Sequence, residues 1–197
     1  MPRSRFDELA ALAEDNDGLV TAAQARRAGF TTSVLARLAQ RARIERIARG
    51  VYRIPHYPAS RFSHYREAVL WAQANRGPQT VALSRASALA VYGISDANPS
   101  SIHLTVPKSA RLRRRKRKGL VVHREDLAPE DVTLLEGIPV TTINRTITDL
   151  LRSGGRIDLA RQAVSGARRE GFIGNSEVRQ LRRKIDTHIR SLKTTRD

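Results

Sequence analysis

The chain of 197 residues contains no cysteine. That absence removes disulfides, thiolate nucleophiles and cysteine-based zinc sites together. No run approaches the roughly 18 consecutive apolar residues that a membrane-spanning helix needs, so no membrane partner is expected. The opening residues MPRSRFDELA lack an apolar core and a small-residue cleavage site, so they do not read as a secretory signal, and a cytoplasmic location is expected. A Gly-rich loop followed by Lys and Ser/Thr is also missing, which leaves no phosphate cradle of that kind. The five histidines, His56, His64, His103, His123 and His188, are scattered without a His-x3-His pair or matching carboxylates. No metal, cofactor or catalytic activity is therefore expected.

Acidic residues are scarce relative to basic ones, 19 against 36, for a net charge of +17. Such an excess attracts polyanions, and nucleic acid is the default partner. An anionic membrane surface would compete, but no long amphipathic helix with large apolar anchors is present.

Thr21 to Ile54 carries the most information. Thr21 with Gln24 three residues on forms a capping box that opens a short helix. Ala25 falls where two helices must approach closely, and Gly29 falls where the turn needs a left-handed backbone. Thr31 or Thr32 caps the next helix, which runs to about Arg41 with Val34, Leu35 and Leu38 as its buried stripe. Ile44 to Ile47 and Val51 to Ile54 alternate apolar and basic residues around Ala48-Arg49-Gly50, predicting a wing hairpin. Before them, Phe6 to Glu14 reads as a first helix stopped by Asn16-Asp17-Gly18.

This is the layout of a winged helix-turn-helix, and it identifies the residues expected to touch DNA. At about 100° per residue, Ser33, Ala36, Arg37 and Gln40 point away from the buried stripe, with Thr32 at its edge; of these, Thr32, Ser33, Arg37 and Gln40 carry polar side chains. Arginine forks onto guanine, glutamine onto adenine, and Ser or Thr adapts to either, so these four are expected to read bases. Arg41, Arg43, Arg46, Arg49 and Arg53 continue through the wing and are expected to meet phosphates, which set position without reading sequence. The competing reading is a winged helix that binds protein or dimerises.

RLRRRKRK at 111–118 is basic at seven of eight positions: Arg111, Arg113, Arg114, Arg115, Lys116, Arg117 and Lys118. Mutual repulsion predicts an exposed loop. It would grip phosphate or contact a protein partner, or it would be a solvated loop that adds only long-range attraction.

Pro55 and Pro58 mark a boundary. Beyond it, helices are expected over Arg61 to Asn75 and Ser84 to Tyr92, and strands over Ser101 to Pro107 and Leu120 to Glu125. A hairpin is expected from Val132 to Leu135 and Ile138 to Thr142. Helices then close the chain over Asn144 to Leu151, Asp158 to Arg169 and Ser176 to Ile185, and the tail HIRSLKTTRD is expected to fray. The fold class is α+β. A winged helix-turn-helix domain occupies residues 1–55, a mixed α/β domain ending in helices occupies 56–190, and a polar tail 191–197.

Outside the DNA-reading region the candidates for chemistry are few. Glu125, Asp126, Glu130 and Asp131 cluster near His123, and a two-carboxylate magnesium site competes there with a solvated loop. Ser84 and Ser87 read as a helix cap and its neighbour rather than nucleophiles. Tyr65, Trp71 and Tyr92 sit at helical spacings that suit a core better than base stacking.

The ordered blocks FDELAALAEDNDGLVTAAQARRAGFTTSVLARLAQRARIERIARGVYRI, ALSRASALAVYGISDANPSSIHLTVP, LVVHRED and LLEGIPVTTINRTITDLL resemble the AbiEi family of antitoxins from bacterial type IV toxin–antitoxin pairs. The resemblance covers nearly the whole chain, and its specificity lies in the order and spacing of the blocks. It implies a winged-helix DNA-binding domain followed by an α/β antitoxin domain. It further implies a neighbouring nucleotidyltransferase-like toxin, repression of the operon through double-stranded DNA repeats in its own promoter, and a carboxy-terminal domain that counters the toxin. Type IV countering need not involve a stable complex. Some relatives with a similar leading half continue into an endonuclease-like domain; the length of this chain and its lack of an Asp…Glu-x-Lys constellation lead to the expectation of no nuclease activity. A dimer on DNA is expected, or two monomers on neighbouring repeats, because one winged helix covers few base pairs. The other readings are a plain regulator with an effector-sensing second domain, and an enzyme modifying the toxin through carboxylates such as Glu125, Asp126 or Asp149.

Overall fold

The computed structural model describes residues 4–74, 81–110, 118–154 and 156–194. The chain opens with α1 (Arg5–Ala13), whose start is closed by a reciprocal capping box between Ser4 and Asp7. Then come β1 (Leu19–Thr21), α2 (Ala22–Arg27), α3 (Thr32–Gln40), β2 (Glu45–Ala48) and β3 (Val51–Arg53). The three strands form an antiparallel sheet in the order β1-β3-β2. Leu9, Ala13, Val20, Ala25, Phe30, Leu35, Ile44, Tyr52 and Ile54 bury themselves together between these helices and the sheet. This is a winged helix-turn-helix. Its β1 was not anticipated: Thr21 ends that strand and, with the same residue, caps α2.

α4 (Ser63–Gln73) follows, then β4 (Ala82–Leu83), α5 (Arg85–Tyr92), β5 (Ile102–Val106), β6 (Leu120–Arg124), the hairpin β7 (Val132–Leu135) and β8 (Ile138–Thr141), and α6 (Ile143–Arg152), α7 (Ile157–Arg169) and α8 (Asn175–Thr194). The second sheet has the order β6-β5-β4-β8-β7. β4–β5 and β7–β8 pair antiparallel, whereas β5–β6 and β4–β8 pair parallel. The two-residue β4 lies at the centre, too short to give a periodic signal. Register places Leu83, Leu104 and Val140 on one face of this sheet, and they join a core that α4 to α8 complete. Tyr65, Trp71 and Tyr92 are buried in it, as expected.

α8 is longer than the sequence reading, continuing to Thr194 through the segment expected to fray. Val178, Leu181 and Ile185 are buried along one stripe, and Ile189 packs against the same core one turn later. Tertiary burial therefore extends a helix whose polar composition argues for fraying.

Candidate nucleic-acid interface

Two local devices set the helix-turn-helix geometry. Thr21 Oγ1 accepts from the Gln24 backbone N–H while Gln24 Oε1 accepts from the Thr21 N–H, at 3.1 and 2.8 Å. At the other end of α2, Gly29 takes φ +81°. Gly29 N–H donates to Arg26 O and Phe30 N–H to Ala25 O, the paired bonds of a Schellman turn. Phe30 then drops into the core while Arg5 stacks over its ring, 4.9 Å from the centroid.

α3 begins at Thr31, whose Oγ1 accepts from Val34 N–H. It closes with the same two bonds as α2: Ala42 N–H to Ala39 O and Arg43 N–H to Leu38 O. Here the left-handed position is filled by Ala42, at φ +52°. Leu35 is buried and Val34 and Leu38 are half-buried, whereas Thr32, Ser33, Ala36, Arg37 and Gln40 are exposed. The four residues expected to read bases thus lie on the solvent side of one helix.

The wing follows directly. Arg41, Arg43, Arg46 and Arg49 are exposed. Arg43 lies over the Phe6 ring, 4.3 Å from its centroid, which holds its stem and leaves the guanidinium edges to donate. A bulge between Arg46 and Ala48 breaks the alternation of β2 and twists the strand. Arg53 is placed differently from the other wing arginines. It is only partly exposed, and its guanidinium pairs with Glu67 of α4 at 2.5 Å and with Glu45 across the hairpin at 3.7 Å.

Glu67 belongs to a set of contacts that seats the wing on α4. Asp17, in the left-handed region, accepts from Ser60, Ser63 and Arg66. Burial alone would raise its carboxyl, but these donors hold it below the usual carboxylate range. Arg66 also donates to Glu136 O in the β7–β8 turn. Leu19, Val51 and Leu70 bury one another between the wing and α4. A side chain at Gly18 would collide with the Tyr57 ring. None of these partners had a local sequence signal, because they join residues 14 to 70 positions apart.

Of the basic run, Lys118 is exposed beside β6; Arg111, Arg113, Arg114, Arg115, Lys116 and Arg117 lie outside the described residues. Of the acidic residues near His123, Asp126 and Glu130 are exposed on the loop, as the solvated reading has it, whereas Glu125 and Asp131 are drawn into an ion network. Arg145 spans Glu125, Asp131 and the fully buried Asp149, at 2.6, 2.8 and 2.9 Å, and Arg85 donates to the other oxygen of Glu125. Burial would raise the Glu125 carboxyl, yet hydrogen bonds and charge from Arg85 and Arg145 keep it low. Asp126 accepts from the Lys108 N–H. Among the described residues no group of three or more His, Asp or Glu is disposed to hold a metal, and no helix is long and apolar enough to cross a membrane.

An exposed helix-turn-helix face that runs into an arginine-bearing wing defines a DNA-binding transcriptional regulator of the winged helix-turn-helix class. Comparison with known proteins specifies it further. A family model described as a transcriptional regulator, AbiEi antitoxin, matches residues 7–55, and the model of the AbiEi antitoxin C-terminal domain matches residues 80–161. The two follow one another in chain order and together take in about two thirds of the sequence. The chain belongs to the AbiEi antitoxin family. In fold it is similar to the crystal structure of the Rv2827c protein from Mycobacterium tuberculosis, with a TM-score of 0.52 and 15% identity over 92% of this chain and 72% of that one. Among curated proteins none matches this sequence.

Proposed function

We propose that this antitoxin represses its own operon by binding repeats in its promoter. Thr32, Ser33, Arg37 and Gln40 read base edges in the major groove, and Arg41, Arg43, Arg46 and Arg49 hold phosphates on either side. Arg53 anchors the wing to α4 instead of reaching the backbone. The observation that supports this reading most directly is the exposure of all four polar α3 residues on the face opposite the Leu35 stripe. Residues 1–55 form the DNA-binding domain, and residues 56–190 counter a nucleotidyltransferase-like toxin encoded beside it. The basic run at 111–118 adds reach toward DNA or toward that toxin.

Two measurements test the two halves of this reading. Fluorescence anisotropy with the DNA upstream of the operon should give saturable binding that strengthens as repeats are added. Unchanged binding by a variant carrying Arg37→Ala and Gln40→Ala would remove α3 as the reader. Co-expression with the neighbouring reading frame should restore growth with the full chain. If that frame is not a toxin, or residues 1–55 alone rescue growth, the countering role assigned to the second domain is wrong.

A further inference from the structure

A second cluster, on β4, β5, β6 and the start of α5, remains without a role. Six buried side-chain nitrogen or oxygen atoms among the described residues lack a hydrogen-bond partner, and four of them converge: Ser84 Oγ, Arg85 Nε, Arg85 Nη1 and Thr105 Oγ1. Register brings them together. Ala82 pairs with Thr105, Leu83 with Leu104, and the Ser84 N–H donates to His103 O. Thr105 in turn lies beside His123 on β6. Side chains alternate along a strand, so Ser84, His103, Thr105 and His123 share the sheet face opposite Leu83 and Leu104.

Arg85 completes the cluster from the first residue of α5. Its side chain is 8% exposed, and Nη2 donates to Glu125 while Nε and Nη1 have no protein acceptor. Its backbone is left-handed, φ +52°. That conformation costs a non-glycine residue energy and tends to persist where a side chain must be aimed. The His103 Nδ1 and His123 Nε2 atoms are 3.0 Å apart in stacked rings. Both imidazoles and Glu125 are half-buried, so this end of the cluster opens to solvent.

The chemistry offered is donation. A guanidinium with two unused nitrogens, two hydroxyls and the one ring N–H that the His103–His123 contact leaves free come together from a helix start and two strands, with Glu125 as the carboxylate beside them. A buried, unsatisfied guanidinium is costly unless something accepts from it, and donors arranged in three dimensions around an arginine suit a tetrahedral oxyanion better than a planar carboxylate. We propose that Ser84, Arg85, Thr105 and the His103–His123 pair form a binding site for a phosphoryl group, either free phosphate or the terminal group of a nucleotide. This site stands apart from the DNA-reading face and does not depend on the role assigned there.

The test uses imidazole NMR spectra of the full chain, in about 0.3 M chloride to screen diffuse attraction to the basic surface. Inorganic phosphate is titrated first and a 5′-mononucleotide second. The resonances of His103 and His123 should shift saturably while those of His56, His64 and His188 stay in place. Arg85→Gln should weaken the response about tenfold or more. Should Arg85→Gln fail to fold, Thr105→Val, which keeps shape and removes one hydroxyl, should weaken it less but measurably. Tighter binding of the mononucleotide identifies a nucleotide as the source, and equal binding identifies free phosphate. Absence of any saturable shift, parallel movement of all five histidines, or a response indifferent to the variants would overturn the site.

Discussion

Arg53 on β3 of the wing and Glu67 on α4 form an ion pair in which the arginine is 37% exposed and the carboxylate only 9%. The two ends of this contact are therefore unequal. Arg53→Ala removes the 2.5 Å partner of a buried carboxylate and should destabilise the protein by about 1–3 kcal/mol, whereas Glu67→Gln leaves a partly solvated arginine and should cost less than about 1 kcal/mol. Urea unfolding of both variants checks this, and equal losses would mean that the pair contributes only as a surface bridge.

Both helices of the helix-turn-helix end in the same backbone turn, one on Gly29 and the other on Ala42. A left-handed alanine costs roughly 1–2 kcal/mol relative to glycine. Ala42→Gly should therefore stabilise the fold by about 1 kcal/mol, and Gly29→Ala should destabilise it by a similar amount, since a methyl group there meets no neighbouring atom. Thermal unfolding of the two variants should move in opposite directions.

On DNA the two classes of contact should separate. Arg37→Ala should cost about 1–3 kcal/mol on the cognate repeat and relax discrimination at one position. Arg46→Ala should weaken binding to all sequences alike and lower the salt slope by about one. Titrations at several salt concentrations, with cognate and scrambled duplexes, decide the assignment. Loss of discrimination in Arg46→Ala would reverse the roles of helix and wing.

Arg145 is the hub of the second domain's ion network. Removing it leaves Asp149, which has no solvent exposure, without its partner. Arg145→Ala should cost about 3–5 kcal/mol. Arg145→Lys should recover little of this, because an ammonium cannot fork among Glu125, Asp131 and Asp149. Denaturant midpoints at constant slope are the readout; a near-neutral Arg145→Ala would mean that water reaches Asp149.

Stability should also fall with acid in two stages. Burial, assisted by the Arg85 charge and by the neighbouring His103, lowers His123 to about 4, and burial with Arg85 lowers His103 as well. A folded value below the unfolded one, about 6.5, means that the unfolded chain takes up protons first. Stability is then full above about pH 6.5 and declines as the pH drops toward about 4. Asp17 and Glu125 are held low in the fold, so their contribution, present above about pH 4, is lost below that. His123→Gln should flatten the first stage in unfolding titrations run from about pH 7.5 down to about pH 4. An unchanged profile would mean that His123 is solvated in the folded state.

The sequence by itself determined the helices and hairpin of the winged helix-turn-helix, though not its strand β1. Capping by Thr21 and Thr31, the left-handed turn at Gly29 and the Leu35 stripe all arise from interactions within four or five positions, which a linear pattern displays. The mixed α/β fold with closing helices was legible for the same reason, since its long elements carry their own periodicity. Tertiary structure alone decided the rest. The two-residue β4 acquires its place only from partners on β5 and β8, and the run of α8 to Thr194 depends on the core beneath it. Arg53 looks like its wing neighbours in sequence and is set apart by Glu67, 14 residues away on α4. Ser84, Arg85, His103, Thr105 and His123 had no shared signal, because strand register and burial between distant segments bring them together, and burial is what turns an ordinary arginine into an unsatisfied one.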